Sequence, residues 1–169
     1  MDFTDPANPF EIAFFDRGPV SAEALFSGGY WSTYWYNGHI YGSEIARGTD
    51  VFRLAPSEHL SQAEIEAAEL VMVDELNPQH QERMDWPDAV PVAQAYLDQM
   101  VRANRIRTES ADALSAVLER ADRGTASPGE LRNAAAGLDA EIAAIAAGTT
   151  GGDADRMTKL ADVLRGLTN

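Results

Sequence analysis

The chain has 169 residues, of which 45% are hydrophobic, and it contains no cysteine. This length suits one medium domain or two small ones, and the lack of cysteine excludes disulfides and thiolate catalysis. The formal net charge is −14, and residues 1–88 carry 16 acidic against 4 basic side chains. So acidic a chain repels phosphate backbones, which argues against a nucleic-acid partner. The sequence predicts neither a transmembrane helix nor a signal peptide in this chain.

The first 54 residues are predicted to form an antiparallel β-meander of about four strands. One strand is expected over residues 10–15 (FEIAFF), after a turn cluster at residues 5–9 (DPANP). Alternation of β-favouring residues predicts three more, over residues 30–36, 39–45 and 49–54. The Asn37-Gly38 pair between the first two of these is a strong hairpin signal, because both positions tolerate positive φ.

The strand at residues 30–36 carries most of the candidate binding surface. By the two-residue period, Trp31 and Trp35 share one face and the tyrosines share the other. Glu44 and Arg47 follow near the next turn, where they would either line a channel or simply build the turn. The candidate binding or packing face comprises Tyr30, Trp31, Tyr34, Trp35, Tyr36, Glu44 and Arg47.

The hydrophobic period changes to that of helices after Leu54. Ser61 and Glu64 have capping-box spacing, which predicts a short helix ending near Val71. Residues 74–91 contain three Pro residues and are predicted to be an irregular linker, which Trp86 anchors onto a neighbouring element. Residues 59–90 are therefore expected to join two domains.

Residues 91–169 are predicted to form an antiparallel four-helix bundle. Ser127 and Glu130 give a second capping box with Pro128 at the first helical position, and Asp153 is expected to cap the last helix. Each helix carries a narrow apolar stripe, so the helices must pack on one another. The fold class is α+β, with a sheet over residues 1–58 and the bundle at the C-terminus.

The sequence offers no catalytic or metal-binding constellation. His39, His59 and His80 stand in no metal-ligand spacing, and no nucleophile elbow or phosphate loop is present. Asp153 and Asp155, beside a Gly-Gly pair, give only part of a calcium-loop pattern. We therefore expect no cofactor, no metal and no enzymatic activity.

Residues 1–76 resemble the LVIVD-repeat proteins, a family of bacterial β-propellers. The resemblance rests on the turn cluster at residues 5–9, the Asn37-Gly38 turn after an aromatic strand, the Arg47-Gly48 turn and the following Asp50-Val51 pair. The segment at residues 55–68 (APSEHLSQAEIEAA) is similar to the one that follows the last blade. A propeller needs about four to eight blades, so the resemblance implies that this sheet packs beside sister blades. It also implies an exported protein, at the cell surface or in the periplasm.

Residues 92–124 resemble the helical FIMAH-type module of some bacterial secreted proteins, with Ile106 in the loop between two helices. Such modules are thought to bind or tether. Together the resemblances imply a non-catalytic binding or scaffold protein, the C-terminal portion of a longer propeller, with a protein partner or further copies on its aromatic sheet. Two alternatives are a self-assembling subunit that completes a propeller with other chains, and a fragment of an enzyme whose active site lies in other blades.

Overall fold

The computed structural model describes residues 1–3, 6–77, 79–80 and 84–168. The chain divides into two compact units. The sheet unit comprises Met1–Leu60 and Met72–Arg83, and the helical unit comprises Ser61–Val71 and Met84–Asn169. Asp5 of the predicted turn cluster and Pro78 of the predicted linker lie outside the described residues. The arrangement is α+β, as the sequence predicts.

The sheet unit contains three antiparallel strands in the order β1-β2-β3. They are β1 (Tyr30–Tyr36), β2 (His39–Glu44) and β3 (Gly48–Phe52). Asn37 and Gly38 have φ values of 47° and 81°, so both central positions of the β1–β2 turn are left-handed. This is the tight hairpin that the Asn-Gly pair predicts.

The strand predicted over residues 10–15 is not part of the sheet. In this segment only Phe10 forms a β-bridge, an isolated one with Asp2. The ring of Phe15 lies 4.7 Å from that of Phe52 on β3, centroid to centroid. Phe15 of this segment therefore packs against the sheet, and the segment adds no fourth strand to it.

A β-bulge at the start of β1 changes which aromatic residues share a face. The pairing of β1 with β2 shifts between Tyr30 and Ser32, so Trp31 has no partner on β2. A Cβ built on Gly42 would lie 2.7 Å from the Tyr30 ring, which places that ring over Gly42. The two-residue period is therefore wrong for Tyr30, which lies on the opposite face from Tyr34.

The register assigns the remaining residues to two faces of the sheet. The inner face carries Thr33, Trp35, Ile40, Gly42, Glu44, Asp50 and Phe52 together with the Tyr30 ring. The outer face carries Ser32, Tyr34, Tyr36, His39, Tyr41, Ser43, Thr49 and Val51. The inner face is the one against which Phe15 packs.

The helical unit contains α1 (Gln62–Glu69), α2 (Val90–Arg102), α3 (Thr108–Asp122), α4 (Pro128–Ala146) and α5 (Ala154–Gly166). Both predicted capping boxes are confirmed, with Ser61 at the start of α1 and Ser127 at the start of α4. The predicted N-cap of α5 is confirmed as well, since the Asp153 side chain accepts from the Arg156 backbone N–H. Local sequence signals therefore fix where these helices begin.

The hydrophobic core belongs to the helical unit. Helix α2 packs against α1, α3 and α5, and α4 packs against α3 and α5. The largest fully buried side chains are Val92, Leu97, Met100, Leu118, Leu138, Met157, Leu160 and Leu164. Ala67 of α1 joins this core, so the helix that the sequence assigned to the connecting segment 59–90 is part of the helical unit.

Candidate functional site

All five candidate aromatic residues lie on β1, but some of their side chains are exposed to solvent and the others are partly buried. Trp31, at the bulge, is 75% exposed, and Tyr34 on the outer face is 43% exposed. Tyr30, Trp35 and Tyr36 are partly buried. The aromatic run is thus not one continuous binding face, and Trp31 and Tyr34 are its accessible members.

The described part of the sheet unit has no buried core of its own. Among its described residues, no hydrophobic side chain is buried, and the buried positions are Gly38, Gly42 and Glu44. Large apolar or aromatic side chains are instead exposed: Phe3, Phe10, Phe14, Phe15, Leu25, Phe26, Trp31, Tyr34, Tyr41 and Val51. A sheet normally buries one face against another layer, whereas the described residues of this unit leave these side chains exposed.

The side chains of Arg17, Tyr30 and Asp50 form a hydrogen-bonded cluster on the inner face. Asp50 accepts from the Tyr30 hydroxyl at 2.6 Å and from the Arg17 guanidinium at 2.7 Å. Burial and the hydrogen bond to Asp50 raise the pKa of Tyr30. The hydrogen bond from Tyr30 lowers the pKa of Asp50 and outweighs burial, with Arg17 acting in the same direction. Both shifts stabilise a neutral Tyr30 and an ionised Asp50, and the cluster attaches Arg17 to β3.

Asp50→Asn is expected to lower the pKa of Tyr30 toward its ordinary value of 10.0. The substitution removes the negative charge that opposes tyrosinate formation, while the contribution of burial remains. A pH titration of ¹³Cζ-labelled tyrosine by NMR would follow the shift. Asp74→Asn, an exposed change in the same unit, should leave Tyr30 unchanged; equal effects of the two variants would contradict the assignment.

Glu44 is buried and organises the turn between β2 and β3. Its carboxylate accepts from the backbone N–H groups of Gly29 at 3.0 Å, Ala46 at 2.7 Å and Arg47. Burial alone would raise the pKa of Glu44, but the three backbone donors outweigh it and hold the pKa below its ordinary value. Glu44 is therefore an ionised acceptor that joins the start of β1 to the turn.

The Arg47 side chain does not point to Glu44. Its guanidinium donates to the carbonyl oxygen of Pro19 at 2.8 Å and, more weakly, to that of Gly18 at 3.5 Å. Each residue of this candidate pair thus binds backbone: Glu44 builds the turn, and Arg47 holds the loop at residues 18–19. This geometry favours the turn-building interpretation over a channel lining.

The described histidines have polar or aromatic neighbours. His39 lies between the Asn37 carbonyl oxygen and the Arg53 guanidinium, and His59 contacts the Phe10 ring edge-on. In the part of the chain that the structure describes, no group of three or more His, Cys, Asp or Glu is placed to hold a metal ion. Nor is any described helix both long and apolar enough to span a membrane.

The helical unit has a groove of about 370 Å³ between α3 and α4. Leu114, Val117 and Leu138 line it, and Glu141 and Glu130 lie along its rim. Glu141 accepts from Arg107, and Glu130 accepts from Arg120. Among the described residues no buried side-chain nitrogen or oxygen lacks a hydrogen-bond partner. Sequence reasoning missed the groove because it arises from the pairing of two helices.

A smaller cleft of about 190 Å³ lies beside Trp86. Tyr96, Gln99 and Val92 of α2 line it together with Glu64 of α1. The Trp86 side chain is 45% exposed, so it borders the cleft without filling the core. The predicted anchoring role of this tryptophan corresponds to this position beside α1 and α2.

Comparisons with protein-family models, with curated proteins and with solved structures found no match for this chain. The resemblances to LVIVD-repeat propellers and to FIMAH-type modules therefore stay predictions.

Proposed function

We propose that this chain is a non-catalytic binding or scaffold protein whose sheet unit associates with further β-sheets. The observation that carries the proposal is the missing core of the sheet unit, in which no described hydrophobic side chain is buried. The helical unit, which has its own core, serves as a tethering module built as an antiparallel bundle.

The energetics of the sheet unit support this proposal. Ordering the backbone costs about 1–2 kcal/mol per residue, and burial of one large apolar side chain returns about 1.5–3 kcal/mol. The helical unit has many such buried side chains, whereas the described part of the sheet unit has none. Additional apolar contacts must therefore stabilise the sheet, and a neighbouring protein layer is the natural source.

A propeller blade would supply such a layer on both faces. In this proposal the three strands, with a fourth from elsewhere, form one blade of an exported LVIVD-like propeller at the cell surface or in the periplasm. Trp31 and Tyr34 would then contact an adjacent blade. The motifs at residues 5–9, 37–38 and 47–51 support the assignment at the level of the sequence.

A second candidate function is self-assembly, in which copies of the chain complete one another's sheets. One observation favours it: the edge strand β1, YWSTYWY, carries no charged residue. An enzyme with its active site in other blades is the third possibility, and no observation on the described residues favours it.

Amide hydrogen exchange of the dilute full-length chain tests the proposal. We expect the amides of β1–β3 to exchange at least about 100-fold faster than those of α2 and α5, because local stability follows buried apolar contact. The helical amides act as the internal control within the same sample. A dilute monomer whose sheet amides are as protected as its helical amides would show a self-sufficient sheet and would contradict the proposal.

A further inference from the structure

The outer edge of β1 is open to another strand. β1 lies at one edge of the sheet, and β2 pairs with only one side of it. Among the described residues of the sheet unit, no further backbone hydrogen bond reaches Tyr30–Tyr36. Backbone N–H and C=O groups along such an edge form a template for pairing with an added strand.

β1 lacks most of the devices that protect natural edge strands. It contains no proline and no charged residue, and its bulge at Trp31 affects only its first residues. The opposite edge strand, β3, carries Asp50, which is held by Arg17. The regular, uncharged stretch of the β1 edge is therefore residues 32–36.

The distribution of charge in the sheet unit indicates which kind of strand can pair with the β1 edge. The sheet unit is strongly acidic, with 11 acidic against 4 basic side chains over residues 1–60 and 72–83. No strand residue of β1 or of the outer face carries a carboxylate, and Asp74, whose backbone carbonyl accepts from the Tyr36 hydroxyl, lies at the end of β1. Two sheet units can therefore approach along β1 without bringing carboxylates into direct opposition. A second copy offers the same neutral edge, which is the self-complementarity that a two-fold interface requires.

We propose that two copies of this chain pair antiparallel along β1 and join their three-stranded sheets into one continuous sheet. This inference rests on the proposed function, since it names the partner of the incomplete sheet as a second copy. The two-fold axis that relates the copies passes between the paired strands at the middle of residues 32–36, so Tyr34 of one copy lies opposite Tyr34 of the other. Aromatic and β-branched cross-strand pairs beside it, from Trp35 and Thr33, stabilise the pairing.

The absence of native cysteine allows a direct crosslinking test. Directly opposed residues in an antiparallel pair have Cα atoms about 4.5–5.5 Å apart, within the reach of a disulfide. The variant Tyr34→Cys is expected to form a disulfide-linked dimer under mild oxidation. Val51→Cys is the matched control, an exposed position on the outer face of the opposite edge strand.

Sedimentation of charge variants tests the same pairing without oxidation. Tyr34→Lys places two ammonium groups directly opposite each other and is expected to weaken dimerisation at least about 10-fold. Val51→Lys adds the same charge at the other edge and should leave the dimer intact. Far-UV circular dichroism and hydrogen exchange of α2 and α5 confirm that each variant keeps its folded helical unit.

Three results would overturn the pairing: a parent chain that stays monomeric at the highest concentration, equal crosslinking of Tyr34→Cys and Val51→Cys, or loss of the dimer in Val51→Lys alone. A monomer whose sheet amides exchange rapidly would overturn the pairing and leave the proposed function standing. A monomer with fully protected sheet amides would overturn both.

Discussion

Glu64→Gln is expected to lower the free energy of unfolding of the helical unit by about 2 kcal/mol at neutral pH. Glu64 lies on α1, and its two carboxylate oxygens accept from the Arg102 guanidinium of α2 at 2.8 and 2.9 Å. The Glu64 side chain is only 8% exposed. Glutamine can still accept from the Ser61 N–H, so the substitution preserves the capping interaction and removes the ion pair.

The contribution of this ion pair to the free energy of unfolding should decrease as the pH falls. Burial alone would raise the pKa of Glu64, but Arg102 and the Ser61 N–H outweigh it and lower the pKa below 4.5. A carboxylate whose folded pKa is depressed contributes stability above its unfolded pKa and loses it as pH falls through the folded value. The difference between parent and variant should therefore be full at pH 7 and shrink below about pH 4.5.

Urea unfolding followed by circular dichroism at pH 7 and pH 3 measures both effects. Glu69→Gln is the matched control, because Glu69 lies on the same helix and is exposed. Its effect should stay within about 0.5 kcal/mol, as for most exposed substitutions. A Glu64→Gln effect no larger than that of the control would show that Arg102 does not stabilise the α1–α2 contact.

The start of α1 could be predicted from the sequence, but its tertiary partner could not. Ser61 and Glu64 are three residues apart, so their capping box is a local signal. Arg102 is 38 residues from Glu64 in sequence, and only the packing of α1 on α2 brings the two together. For this reason the sequence placed α1 in the connecting segment 59–90, ahead of the predicted linker, whereas the structure places it in the helical unit.

In the sheet, too, a feature that depends on adjacent residues could be predicted from the sequence, whereas features that depend on strand pairing could not. The Asn37-Gly38 turn predicts its hairpin because φ preferences belong to the two residues themselves. The bulge at Trp31 depends on how β1 aligns with β2, so the two-residue period could not predict the position of Tyr30. The sequence also predicted an aromatic strand, but that no hydrophobic side chain is buried around it, among the residues the structure describes, follows only from the assembled unit.

Glu44→Gln is expected to open the β2–β3 turn and to disorder the sheet unit while the helical unit stays folded. One carboxylate oxygen accepts from Gly29, and the other accepts from both Ala46 and Arg47. Glutamine keeps one acceptor oxygen, so its amide NH₂ must face either the Gly29 N–H or the pair from Ala46 and Arg47. A buried donor without an acceptor is strongly unfavourable, and the described residues of the sheet unit provide no hydrophobic core to offset the loss.

Heteronuclear NMR of the parent and of Glu44→Gln would report the result residue by residue. Resonances of β1–β3 should collapse toward random-coil shifts, while those of α2 and α5 stay unchanged. Acidification of the parent should do the same, because the pKa of Glu44 is lowered and its contribution is lost as pH falls below about 4.5. Glu58→Gln, an exposed change in the same unit, is the control. A Glu44→Gln spectrum with intact sheet resonances would mean that the turn holds without its buried carboxylate, so that contacts other than these backbone bonds position the open β1 edge.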